Sequence, residues 1–230
     1  MGNMPTKKVV LFLVEGITDQ MALGMVLSQL IETDRVRFAV ANGDLFVRGG
    51  REGPESAVRK QIQKFQSRYR LKRKDLRQVV HLIDTDGAFI PEESVLAGTN
   101  ARIQYGKNCI ESLYADSVRE RNRTRRAAAL RLSSLETVDG IPYSIFYFSR
   151  NLEHALHGRE DNLSPAEKRS LSEELEDTYA DCPEEFLQLL RSKEVAVQGE
   201  YAQTWQWILA AWNSLKRGSN FYLFFEERGK

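Results

Sequence analysis

The chain has 230 residues, 42% of them hydrophobic, enough for one sizeable core with a smaller appended part. Its 33 Lys and Arg face 32 Asp and Glu for a formal net charge of +1, so the chain as a whole has no electrostatic signature. Two cysteines, Cys109 and Cys182, with no CxxC, exclude a disulfide scaffold and argue against a structural zinc site; they fit a reducing, cytoplasmic setting.

The opening MGNMPT formally fits a myristoylation pattern, with Thr6 in place, but Lys7 and Lys8 lead almost at once into an apolar run. That run, Val9 to Val14, is too short to span a membrane and has no cleavage site after it. Its continuous apolar character predicts a strand buried on both faces, as in a parallel sheet. Thr18 or Asp19 is placed to cap a helix reaching about residue 32, and VRFAVA (36–41) reads as a second strand. NGD and RGGREGP read as loops. A helix is expected from Pro54 to Tyr69, then strands at 78–84 (QVVHLID) and 141–149 (IPYSIFYFS). Strands alternating with helices predict an open, mainly parallel α/β sheet. Beyond Ser149 the pattern turns helical, at 152–158, 165–178, 184–192 and 203–217, before a short apolar stretch, FYLFF. Trp205, Ile208, Leu209, Trp212 and Leu215 read as one helical packing stripe; Trp205 and Trp212 are also candidates for a partly exposed partner or homo-oligomer surface.

Charge is uneven along the chain. Residues 59–77 and 119–131 are rich in Lys and Arg, whereas 160–185 are acidic. Such runs are usually solvated helix faces; beside a metal site they grip phosphates. Tyr69 and Tyr105 are candidate base-stacking residues.

Three predicted strands end in acid. Glu15 follows the first, with Asp19 one helical turn later; IDTDG presents Asp84 and Asp86; SRNLEH presents Glu153. Ligands of open parallel sheets bind beyond the carboxyl ends of the strands, so these five carboxylates are expected at one edge. Like charges that close raise each other's pKa, and a divalent cation relieves them. Oxygen donors without Cys suit Mg²⁺ or Mn²⁺, and two such ions activate a water and stabilise the leaving oxygen of a phosphodiester. Gly16 lets backbone approach a phosphate at a helix N-terminus.

VEGITD after the first strand and DTDG after a later one resemble the TOPRIM domain of topoisomerases, primases and nucleases, over residues 8 to about 155. The Glu-Gly-x-Ser/Thr-Asp/Glu form is similar to nucleases of the OLD (overcoming lysogenization defect) type. The resemblance implies a TOPRIM-like metal-binding domain at 1–155 with a helical extension at 156–230 packed on it. It implies catalytic Glu15, Asp19, Asp84, Asp86 and Glu153, and a basic catalytic residue best matched by Lys216. Arg217 beside it, with Gly16 and Arg150, is a candidate phosphate or nucleic-acid contact. OLD proteins carry an ATPase before this domain, and no GxxxxGK[ST] occurs here. A separate ATPase partner, as in some bacterial phage-defence systems, is therefore expected, with DNA or RNA as substrate.

Other readings stay open. DTDGAF also resembles the haloacid-dehalogenase phosphatase motif, with Asp84 as nucleophile, although two strands precede it. His154 and His157, at i and i+3, could join Glu153 in a transition-metal site. The acids could also hold a structural ion in a non-catalytic assembly subunit.

Overall fold

The computed structural model describes residues 8–31, 34–41, 46 and 53–228. The myristoylation pattern lies outside these residues, as does most of the two expected loops, at 42–45 and 47–52. In order, the described chain runs β1 (Val9–Val14), α1 (Ile17–Leu30), β2 (Arg35–Val40), α2 (Gly53–Tyr69), β3 (Leu76–Asp84), β4 (Val95–Ala97), β5 (Gln104–Tyr105), β6 (Ile110–Ser112) and α3 (Ala115–Ser133). It continues through β7 (Thr137–Val138), β8 (Ile141–Phe148), α4 (Leu152–His157), α5 (Pro165–Tyr179), α6 (Pro183–Arg191), α7 (Tyr201–Leu209) and α8 (Leu223–Arg228).

Five strands form the central sheet in the order β2-β1-β3-β8-β7. The first four are parallel, and β7 adds an antiparallel edge. All six residues of β1 are buried because helices cover both of its faces. Val10, Phe12 and Val14 point to a layer built from α1, α4, α5, α6 and α8. Val9, Leu11 and Leu13 point to the opposite layer, from α2, α3 and α7. Phe12 is fully buried between Phe38, Phe221 and Phe224, a burial worth about 1.5–3 kcal/mol. The C-terminal segment thus shares both cores with the sheet. It is also tied to β8, where Ser149 N–H donates to the Gly218 carbonyl (2.8 Å) and Tyr147 N–H to Asn220 Oδ1 (2.9 Å).

The mixed α/β architecture with a mainly parallel sheet matches the sequence expectation, and three details go beyond it. Asp139 and Gly140 both adopt positive φ (52° and 67°), the turn that closes the β7–β8 hairpin. A small sheet, β4-β6-β5, covers a third cluster of Ile90, Val95, Ile110, Val118 and Leu215. The helix expected over 203–217 stops at Leu209. There the Asn213 side-chain amide donates to the Trp207 carbonyl (2.8 Å), and Ala211 turns to φ 46°, so Leu215 joins the third cluster. Trp205 is core; Trp212 is exposed and donates its indole N–H to Ser94 Oγ at 2.9 Å. No helix among the described residues is long and apolar enough to cross a membrane.

Candidate active site

Because β1, β3 and β8 are adjacent and parallel, their carboxyl ends open side by side. Glu15 leaves the end of β1. The Gly16 N–H that follows donates to Asp19 Oδ2 at 2.9 Å, fixing the first turn of α1. Asp84 is the last residue of β3, and its Oδ1 accepts the Leu152 N–H at the start of α4 (3.1 Å). Two bonds lace the β3 and β8 loops together: Thr85 Oγ1 accepts the Arg150 N–H, and Asp86 N–H donates to the Arg150 carbonyl, both at 2.8 Å. Asp86 and Gly87 take positive φ (48° and 65°), which turns the chain sharply after the strand. Glu153, in the first turn of α4, has its side chain only 3% exposed.

These carboxylates sense one another. Burial raises the Asp84 carboxyl well above its usual range, and the Asp19, Glu15, Asp86 and Glu153 charges add to the rise. Burial also pushes Asp19 up to about 6, helped by Glu153 and opposed by the Gly16 N–H and Lys168. The five residues picked out from the sequence therefore lie in one electrostatic cluster.

Two cations enter that cluster which the sequence reading did not single out. Arg125, 4% exposed on α3, places Nη2 2.9 Å from Glu15 Oε1 and Nη1 3.3 Å from Asp86 Oδ2, and donates to the Asp84 carbonyl. Lys168 on α5 sits 3.1 Å from Glu153 Oε2. Burial works against its charge, but the Glu153, Asp84 and Asp19 carboxylates outweigh this and raise its pKa. Arg125 had a signal. Val118, Asn122, Arg125, Ala129 and Leu132 form the buried stripe of α3, so this one arginine of the basic run sits on the core face. Lys168 had none, because its helix approaches α4 only in the folded chain.

The remaining candidates are placed differently. Lys216 is exposed and forms no ion pair with any described carboxylate. Arg217 caps α4, donating to the Ala155 and Leu156 carbonyls at 2.9 and 2.8 Å. Arg150 is buried, lies 4.5 Å over the Tyr105 ring and donates to the Glu160 carbonyl. Phosphate binding by either arginine would have to share these bonds. His154 Nδ1 meets the Ser149 carbonyl at 3.2 Å, and burial lowers the pKa of both His154 and His157. Tyr69 ends α2; Tyr105 borders the acids.

Among the described residues, no three His, Cys, Asp or Glu side chains stand close enough to close around one ion. As arranged, Arg125 and Lys168 supply the positive charge. The donor set, all carboxylate oxygen and short of counter-charge at Asp84 and Asp19, fits a hard divalent cation in its chemistry. Comparisons with protein-family models, curated proteins and solved structures return no match to this chain.

Proposed function

We propose that the chain is a TOPRIM-like, divalent-metal-dependent nuclease that hydrolyses phosphodiester bonds of DNA or RNA. One observation carries this reading: carboxylates from three adjacent parallel strands gather at one sheet edge around Asp84, whose carboxyl is raised by burial and, beyond that, by its acidic neighbours. Glu15, Asp84 and Asp86, too far apart as arranged to close around one ion, would draw together to hold the cation, Mg²⁺ or Mn²⁺, with Asp19 and Glu153 available for a second. A bound cation supplies an activated water and stabilises the developing negative charge on the leaving oxygen. The chain's own groups prepare the place. The Leu152 N–H holds Asp84, Arg125 holds Glu15 and Asp86 from the side of α3, and Lys168 balances Glu153. The protein cations also leave less negative charge facing an incoming phosphodiester.

A nuclease of this kind needs restraint in its own cell. The regulator we favour is a separate ATPase subunit in an anti-phage system of the bacterial cytoplasm, docked on the acidic helices α5 and α6. The direct test is incubation of the pure protein with plasmid, single-stranded DNA and total tRNA, with Mg²⁺, with Mn²⁺ and with chelator. Metal-dependent cleavage should vanish in Glu15→Gln and Asp84→Asn. Cleavage that survives both substitutions would assign the activity elsewhere. Turnover of small phosphomonoesters through an Asp84 acyl phosphate would move the protein to the dehalogenase-like class.

A further inference from the structure

A cleft of about 350 Å³ opens beside the carboxylates, between the β5 edge of the small sheet and the N-terminus of α5. It touches the acid cluster at two points. Lys168, on one wall, is the ammonium that pairs with Glu153. Tyr105, on the other, packs against the Asp86–Gly87 turn, where the Arg121 guanidinium donates to the Asp86 carbonyl at 3.0 Å. Behind Tyr105 stands Arg150, 4.5 Å over the ring, with its Nε buried and unpartnered among the described residues.

The lining sorts by chemistry. Ile103 and Tyr105 give an apolar wall with one aromatic ring; Asn151 and Asn162 bring amides, each with one end already used, Asn151 Oδ1 accepting the His154 N–H and Asn162 Nδ2 donating to the Ile103 carbonyl; Arg102 and Lys168 bring positive charge, near the start of a 15-residue helix. The acid in the lining, Asp161, is already bound by Arg159 at 2.8 and 3.0 Å. A flat apolar wall, hydrogen-bonding amides and two cations are what a nucleoside monophosphate asks for, and the volume suits one small ligand. We propose that this cleft binds one nucleotide of the substrate strand, its base against Tyr105 and Ile103 and its phosphate between Arg102 and Lys168. The strand's next phosphodiester then lies over the carboxylates, because Lys168 and Tyr105 belong to both places. This assignment rests on the nuclease reading for its substrate, but not for its test.

The test titrates the full chain, in chelator, with adenosine 5′-monophosphate, adenosine and inorganic phosphate, followed by calorimetry. The nucleotide should bind about tenfold or more tighter than adenosine or phosphate alone. Arg102→Glu, a change at an exposed position, should weaken the nucleotide about fivefold or more and leave adenosine unchanged. Tyr105→Leu should weaken nucleotide and adenosine together, and Tyr105→Phe should restore both. A nucleotide that binds no better than phosphate, or that ignores both Arg102→Glu and Tyr105→Leu, overturns the proposal. The two readings fail separately. Nucleotide binding without metal-dependent cleavage of any polymer keeps the cleft and sinks the nuclease. Cleavage that Asp84→Asn abolishes, in a chain that binds no nucleotide, does the reverse.

Discussion

Arg125 Nη2 lies 2.9 Å from Glu15 Oε1, joining the buried face of α3 to the end of β1 across 110 residues of sequence. The same guanidinium reaches Asp86 at 3.3 Å and the Asp84 backbone carbonyl, so it touches all three residues expected to hold a cation. Removing one partner of a buried pair is costly because the other charge stays behind. Arg125→Met should therefore lower stability at pH 7 by about 3 kcal/mol, and Mg²⁺ should raise the melting temperature of the variant more than that of the wild type. Thermal unfolding with and without Mg²⁺ measures both. An unchanged melting temperature would mean that Arg125 and the acids do not depend on each other.

Asp19 gives a pH signature. Its folded pKa of about 6 lies above the ordinary 3.8, so the folded chain holds a proton there that the unfolded chain has released. Stability from this group is full below about 3.8 and is lost as pH rises through about 6. Asp19→Asn should thus be more stable than wild type at pH 7.5, by at most about 3 kcal/mol. The difference should shrink below pH 6 and vanish near pH 4. Urea unfolding at those pH values checks it, and a variant less stable than wild type at pH 7.5 would contradict it. The same variant should lose metal-dependent cleavage, since the destabilising carboxylate is one expected to serve a cation.

His81 works in the opposite sense. It is 1% exposed within β3, its Nδ1 2.8 Å from the Tyr143 hydroxyl, and burial followed by the Arg125 charge lowers its pKa to about 3. The unfolded chain binds a proton near 6.5 and the folded chain does not. Stability is therefore full above about 6.5 and falls as pH drops toward about 3, by up to about 1.4 kcal/mol per pH unit. His81→Gln should flatten this acid limb between pH 6.5 and 4. Denaturant midpoints across that range decide the matter; an equally steep limb in the variant would assign the acid sensitivity to other groups.

What the sequence made legible follows from periodicity and punctuation. A run such as VVLFLV reads as a strand covered on both faces, and an acid just beyond such a strand is expected at the sheet edge. That logic located Glu15, Asp84 and Glu153 together without any knowledge of side-chain positions. The two cations were harder to find. Arg125 sits in a run where exposed arginines outnumber buried ones, and only the helical phase against Ala129 and Leu132 separates it from them. Lys168 meets Glu153 through the packing of α5, which no local pattern encodes. The helix expected through residue 217 failed for a related reason. No proline or glycine interrupts 203–217, and the stop comes with a local bond from Asn213 back to the Trp207 carbonyl and a tertiary one from Trp212 to Ser94. Asp139-Gly140 was a readable hairpin signal for β7.

Gly87 ties the fold of the small sheet to the acids. It follows Asp86 at φ 65°, a region costly for any side chain. A Cβ there would stand 2.8 Å from Leu215 Cδ2 and 2.9 Å from Ile110 Cδ1, both in the third cluster. The two penalties act together, because relieving the contact by moving residue 87 shifts Asp86, whose φ is already 48°. Gly87→Ala should therefore cost about 1–3 kcal/mol of stability. It should also weaken Mg²⁺ binding measured by calorimetry, although no ligating atom has been removed. Val95→Ala supplies the control. It opens a cavity in the same third cluster, on β4 and away from the turn, and should lower stability while leaving Mg²⁺ affinity unchanged. If Gly87→Ala lowers stability alone, the glycine serves packing only. Weakened binding in Gly87→Ala but not in Val95→Ala would establish that the turn after β3 sets where Asp86 points.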